Sequence, residues 1–470
     1  MVTMENKGAV KEAVNLLKEK RDLGLKTKAY LRRWMILFVF SYYASVNSIQ
    51  WIEYSSITHI VVKYYNVSTL AVNWTSIVYC AVYPFLVIPA SYVIDKKGLR
   101  MAGLIGCIGT LIGTGIKVLS IRNDLFWVVL LGQTIVSASQ LVIICLPPKI
   151  ASVWFKPNEV STACSLGVFG TQMGCAIGYV LPPMVVRDSD NIDEIGYGLK
   201  VLCWILTASM IPVTLAVLCY FPDEPPLPPS NAQASLREVK KEFESSEFFK
   251  SVKKLFLNRG FVTHMIAYSI NVGVFSAVGT LLNQFILQHF ENANEDAGIM
   301  GFVMVIAGMI GSVLFGIILD KTHKYKEINL LIYLLSALSI LSLMFSLEYR
   351  SKVMTYIGCI IVGTFTNAYM PVGFELAMEL TYPSEESTTT GILMAGTQIL
   401  GVVFTVALGY FNMWMGCFWA LATQSAFLFL GTVVTALVPN TLLRQEAYKL
   451  NNVGFDRKAS YHGSRLVFIE

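Results

Sequence analysis

The stretch EVSTACSLGVFGTQ, residues 159–172, returns in slightly shortened form as ESTTTGILMAGTQ, residues 386–398. Gly170-Thr171-Gln172 thus recurs as Gly396-Thr397-Gln398. A second pair repeats with it: SYVIDKKGLR at 91–100 and GIILDKTHKYK at 316–326 put Asp320-Lys321 in the place of Asp95-Lys96. The step from Asp95 to Asp320 is a single position shorter than the step from Gly170 to Gly396. Two independent matches at nearly one spacing point to a duplicated unit rather than to chance.

The surroundings of these stretches are apolar. Of 470 residues, 54% are hydrophobic and 14% charged, well under the roughly 25% charge of soluble domains. Runs long enough to cross a bilayer, about 20 residues each, are expected near 33–62, 72–94, 101–120, 126–150, 160–186 and 198–221. A second set is expected near 259–290, 297–319, 328–348, 352–379, 388–411 and 413–438. The predicted fold is an all-α membrane protein with twelve transmembrane helices in two pseudo-symmetric six-helix bundles, related by rotation about the membrane normal. Runs such as LLIYLLSALSILSLMFSL, which do not alternate, exclude a β-barrel. The domain plan is a tail at 1–32, a bundle at 33–221, a linker at 222–258, a bundle at 259–438 and a tail at 439–470. Within the linker, LREVKKEFESSEFFKSVKKLF has the spacing of an amphipathic helix.

Charge sets the expected orientation. Of the 36 Lys and Arg, 29 fall in the segments that are cytoplasmic if both termini and the linker are inside, and 6 fall outside. That asymmetry follows the positive-inside rule, and it accounts for the net charge of +5 without nucleic-acid binding. The first helix is expected to serve as its own signal anchor. Lys117 lies within the third helix, near its outer end, and is expected to snorkel to the interface. Asn66-Val67-Ser68 places a glycosylation sequon in the first outer loop. The nine cysteines all fall in predicted helices, without paired or metal-ligand spacing, so no disulfide framework, metal site or cofactor is expected.

Polar residues inside these runs are the candidate site. In NSIQWIEY, residues 47–54, an Asn, a Gln, a Trp and a Glu sit at membrane depth, where they are costly unless used. Tyr43, Asn47, Trp51, Tyr54, Ser55 and Thr58 form one helical stripe, which predicts a face toward a water-filled cavity. Hydrogen bonding between helices is the competing reading. Gln172 and Gln398 occupy symmetric positions near the middle of the fifth and eleventh helices. Gln133, Ser137 and Gln140 make a weaker stripe on the fourth, and Asn367, Pro371 and Glu375 another on the tenth. With no crowded cluster of acids for ion coupling, a uniporter is the expectation.

The duplication and the loop between second and third helices of each half resemble the major facilitator superfamily. That loop pattern is a Gly, three residues, an Asp, then basic, Gly, basic. Gly316 and Asp320 match its start in the second half. Asp95, Lys96, Gly98 and Arg100 match its end in the first, where Ser91 replaces the glycine. VNSIQWIEYSSI, PPKIASVWFKPNEVSTACSLGVFGTQMGCAIGYVLPP, AGMIGSVLFGIILDKTHKYKE and YMPVGFELAMELTYPSEES are similar to the feline leukaemia virus subgroup C receptor family. The resemblance implies a monomeric facilitator of choline or ethanolamine in the plasma membrane, with mitochondrial or endomembrane location as alternatives. Haem transport, and a receptor that has lost transport, are the other readings.

The resemblance carries Asn47, Trp51, Gln172 and Gln398 over as substrate-lining residues. A quaternary ammonium has no N–H to donate, and aromatic faces hold it best. In choline-transporting relatives a Tyr stands where this chain has Ser276, the repeat counterpart of Trp51. Tyr268 lies two turns back on a similar face. Close relatives carry Gln where this chain has Glu53. Both departures favour ethanolamine relative to choline. A haem reading would need an axial ligand, and His264 is the buried candidate. The five histidines lack metal-ligand spacing and no nucleophile motif appears, so an enzyme is not expected.

Overall fold

The computed structural model describes residues 28–156, 159–229, 253–291, 293–322, 324–381 and 386–440, and these residues are helical with short connections. In chain order the helices are α1 (Arg32–Ile52), α2 (Thr58–Tyr65), α3 (Thr69–Leu119), α4 (Phe126–Trp154), α5 (Val160–Val185) and α6 (Ile192–Tyr220). They continue as α7 (Arg259–Leu287), α8 (Asn294–Thr322), α9 (Tyr325–Glu348), α10 (Lys352–Thr381) and α11 (Glu386–Leu437). Residues 1–27, 230–252 and 441–470, which hold most of both tails and of the amphipathic linker stretch, lie outside the described residues.

Eleven stretches are long and apolar enough to cross a membrane. The last, Thr389–Leu437, runs 49 residues, about 74 Å if straight and more than twice a hydrocarbon core of about 30 Å. It turns at Gly416, whose φ is +84°, and so supplies two spans. The total is the predicted twelve. Large apolar side chains such as Phe38, Trp127, Leu215, Val313 and Trp414 stay exposed on these helices, as expected of surfaces solvated by lipid.

Local chemistry sets the helix ends. Ser68 Oγ accepts from the Ala71 N–H and opens α3, and Asn191 Oδ1 accepts from the Asp193 N–H and opens α6. Asn66 closes α2 in the left-handed conformation, φ 51°, with its side chain exposed. Gly98 interrupts α3 with φ +85° and ψ 178°. A Cβ there would collide with the Asp223 carboxylate, which accepts from the Arg100 N–H at 2.8 Å. Arg100 Nη2 donates to Leu218 O at 3.0 Å. The loop glycine is therefore demanded by backbone and space, and Asp223 caps the helix that restarts after it. The side chains of Asp95, Lys96 and Asp320 lie outside the described set, and Gly316 has open space around its Cα hydrogens.

The chain forms two compact units, Met1–Glu247 with Gly279–Ile306, and Phe248–Val278 with Ala307–Glu470. The division cuts α7 and α8. In the first unit the later part of α7 is tied down by Tyr179 Oη to Gly279 O (2.8 Å), Asn283 Nδ2 to Ser56 O (2.8 Å) and Gln284 Nε2 to Asn73 Oδ1 (2.6 Å). In the same unit α5 lies directly on α1. Cβ atoms added at Gly170 and Gly178 would fall 2.6 Å from Ser41 O and 2.8 Å from Ile49 O, and Ser45 Oγ donates to Gly170 O at 2.5 Å. The second unit repeats this seam between α7 and α11, where Gly396 faces Ser269 Oγ and Gly273 faces Gly401 N. Small residues permit such approach in a membrane, where close van der Waals packing drives helix association.

Candidate functional site

The polar stripe of the first span does not line a water-filled cavity. Tyr43, Asn47, Tyr54, Ser55 and Thr58 are all buried. Asn47 Nδ2 donates to Thr110 Oγ1 at 3.0 Å and Val136 O at 3.3 Å, leaving Oδ1 without a partner. Tyr43 Oη reaches Ser139 O at 3.4 Å. Ser55 and Thr58 back-bond to Ile52 O and Ser55 O at 2.9 Å each. Regular α geometry also ends at Ile52, and a 3₁₀ turn over Ser55–Ile57 separates α1 from α2. A stripe drawn on one ideal helix therefore does not survive past Trp51. Interhelical hydrogen bonding, the competing reading, accounts for Tyr43, Asn47 and Tyr54, and local back-bonding accounts for Ser55 and Thr58.

Trp51 is the exception. It remains partly exposed at the end of α1, packed against the cluster of Val78, Tyr79 and Val136. Its carbonyl accepts from Ser76 Oγ at 2.7 Å. On α5, Gln172 is also partly exposed. It stands two residues from Gly170, about 200° around the helix from the α1 seam. Gln398 is likewise partly exposed on α11, as is Ser276 on α7. No hydrogen bond ties Gln172 or Gln398 to its own unit among the described residues.

Tyr268 belongs to the core of the second unit. It is fully buried, with ring centroids 5.6 Å from Tyr369 and 5.5 Å from Phe374, and its hydroxyl donates to Met370 O at 3.2 Å. His264 is equally buried, and its Nε2 lies 2.8 Å from Gly373 O. A carbonyl can only accept, so Nε2 carries the proton, while Nδ1 is buried without a partner.

Lys117 does not snorkel. Its side chain is 0% exposed and forms an ion pair with Glu53, itself 1% exposed. The ammonium also donates to Gln50 Oε1 at 2.8 Å and reaches Gln133 Oε1 at 3.4 Å. It lies 5.5 Å from the Tyr54 ring centroid. Gln133 Nε2 donates to Gln50 O at 2.9 Å, and Tyr79 Oη donates to Gln133 Oε1 at 3.2 Å. Glycines make room for the aliphatic stem: a Cβ on Gly132 would fall 2.6 Å from Lys117 Cγ and 2.8 Å from Gly113 O. Snorkelling fails because the stem is enclosed by α4 while a carboxylate waits inside. The signal was present in the sequence as two opposite charges, each alone in an apolar run. Such charges usually pair with one another.

Near the Ser120 end of α3, Tyr65 Oη donates to Ser120 O at 3.1 Å. Lys63 Nζ meets Asp190 Oδ1 at 3.0 Å, and His59 Nε2 lies 3.4 Å from Asp188 Oδ2. These exposed pairs contribute little.

The sequence profile of the Major Facilitator Superfamily matches residues 29–405 and 265–456. The chain is 39% identical to the choline/ethanolamine transporter flvcr2b of Danio rerio, over 91% of this chain and 88% of that one. It is 37% identical to the choline/ethanolamine transporter FLVCR2 of Homo sapiens, over 90% and 80%. Among solved structures, a bacterial homologue of the human lysosomal transporter Spinster superposes with a TM-score of 0.66 at 14% identity, covering 89% of this chain and 99% of that one. The fucose:proton symporter FucP of E. coli gives 0.61 at 14% identity, over 88% and 100%. These likenesses show the fold. With twelve spans, a duplicated loop and relatives that align along nearly the whole chain, this protein belongs to the major facilitator superfamily and, within it, to the feline leukaemia virus subgroup C receptor family of membrane transporters.

Proposed function

We propose that this chain is an alternating-access facilitative carrier of a small cationic amino alcohol, choline or ethanolamine. The observation that carries the reading is Trp51. It alone of the polar and aromatic stripe keeps part of its surface open, and it is the residue type best suited to hold an ammonium head, at about 0.5–2 kcal/mol per contact. Gln172 and Gln398, partly exposed and unbonded within their units, are the proposed partners for the substrate hydroxyl. Asn47 and Tyr268 are assigned to packing. Ser276, in place of an aromatic wall, tilts the preference toward ethanolamine, whose N–H groups a hydroxyl can accept. We place the carrier in the plasma membrane as a monomer with cytoplasmic termini and Asn66 outside.

Competitive uptake tests this. Trp51→Ala is expected to lower affinity about five- to thirtyfold, the equivalent of about 1–2 kcal/mol. Ser276→Tyr is expected to tighten choline relative to ethanolamine. Normal transport by Trp51→Ala together with an unchanged ratio in Ser276→Tyr would remove the cationic-substrate reading. Haem is not favoured, since the histidine that would ligate it is fully buried in the packed core of the second unit.

A further inference from the structure

From the geometry around Lys117 we infer that Glu53 sets the charge seen by the substrate: it cancels the buried Lys117 ammonium so that a cation can bind at Trp51. The inference rests on the cationic-substrate reading above. Lys117 has three acceptors within reach, Gln50 Oε1, Gln133 Oε1 and Glu53 Oε1. A glutamine at 53 would offer an acceptor of the same shape in the same place. A carboxylate adds one thing only, a negative charge, and it does so while leaving its own Oε2 buried without a partner. Packing and hydrogen bonding therefore do not explain why position 53 is an acid.

The pair connects directly to the Trp51 wall. Tyr79 belongs to the apolar cluster against which Trp51 packs, and it donates to Gln133 Oε1, the same oxygen that Lys117 approaches. Gln133 Nε2 in turn holds Gln50 O, the carbonyl of the peptide leading into Trp51. At a separation of roughly 10 Å and an effective dielectric near 20, an uncompensated ammonium would weaken binding of a monovalent cation on the order of tenfold. Mobile salt cannot reach a fully buried charge to screen it. With Glu53 ionised, the pair presents only a dipole. The other groups facing Lys117, namely Tyr54, the Cys203 thiol and the amides of Gln50 and Gln133, carry no charge that could substitute.

The test is a charge cycle of Glu53→Gln, Lys117→Met and the double variant, in cells with surface amount measured. Uptake KM for choline and ethanolamine is compared with inhibition by the uncharged choline isostere 3,3-dimethylbutan-1-ol. Glu53→Gln is expected to raise KM for the cations about tenfold while leaving inhibition by the neutral isostere unchanged. The double variant, again neutral, is expected to return to within about threefold of wild type. Lys117→Met is expected to sit about tenfold below the double variant, which keeps the sign testable if Glu53→Gln does not reach the surface. If neither single variant does, loss of cation uptake in a surface-expressed double variant counts against the inference. Equal loss for cation and isostere, no recovery in the double variant, or an unchanged KM in Glu53→Gln would each overturn it. If wild type takes up no cationic amino alcohol, the substrate reading itself has failed. If wild type does and the variants ignore charge order, only this inference falls.

Discussion

Tyr43 and Tyr268 are related by the same step as Asp95 and Asp320, and they do the same work in the two repeats. Each is buried, each fills the space over a glycine (Gly106 and Gly373), and each donates to a main-chain carbonyl of the fourth helix of its own half. Around them the interiors differ. The first repeat holds Glu53, Lys117, Gln50 and Gln133 in a charged network. The same step puts Val278 and Ser342 where Glu53 and Lys117 stand, so no ion pair forms there. The second repeat instead packs aromatic rings together: the Tyr333 and Tyr369 ring centroids lie 4.9 Å apart, edge to face, and those of Tyr369 and Tyr268 lie 5.6 Å apart. After duplication, the seams where backbones touch kept their small residues, because sterics leave little choice. The space between seams needs only to be filled and satisfied, and there the chemistry diverged.

The largest effect is expected at a seam. A side chain on Gly174 would drive into the Ser45 backbone, with Cβ 2.7 Å from Ser45 Cα. Gly174→Leu should leave almost no folded protein at the membrane by size-exclusion of detergent extracts. Gly273→Leu on the matching seam should do nearly as badly, while Gly391→Ala, with nothing within 4 Å, should extract normally. A well-folded Gly273→Leu would break the equivalence of the two seams.

An intermediate effect separates the two interiors. Lys117→Ala strands a buried carboxylate and should cost about 3–5 kcal/mol. Tyr333→Phe removes one hydrogen bond, to Ala267 O at 2.7 Å, and should cost about 1 kcal/mol. Thermal unfolding of the purified variants measures the order. Equal shifts would mean that the charged network is no more demanding than the aromatic one.

The smallest effect sharpens the likeness. Tyr43→Phe and Tyr268→Phe each lose one long hydroxyl contact and keep the ring, so each should cost about 0.5–1.5 kcal/mol and by similar amounts. A difference of several kcal/mol between them would show that the shared position is not a shared role.

The internal repeat, the class and the number of spans were legible before any coordinates. Hydrophobic runs and a fixed offset are linear properties of the chain. Gly98 was legible as a motif position, although its partner Asp223 was not, since the two are brought together only by the return of α6. The candidate site residues divide by exposure. Trp51, Gln172, Gln398 and Ser276 keep exposed surface, whereas Asn47 and Tyr268 went into packing. A polar residue on a membrane helix looks the same from sequence whether it faces water or a neighbouring helix.

What the sequence determined alone was the solvent: the bilayer selects uninterrupted apolar helices, and that selection is written residue by residue. Tertiary structure decided which polar groups meet. Glu53 lies on the first span at a helix break, and Lys117 lies on the third, far along the chain. Their pairing depends on where α1 bends, on glycines 113 and 132 that let α3 and α4 close over the lysine stem, and on the absence of water that makes an unpaired charge there so costly. No local propensity encodes that meeting, because its energy comes from groups that are neighbours only after the helices have packed.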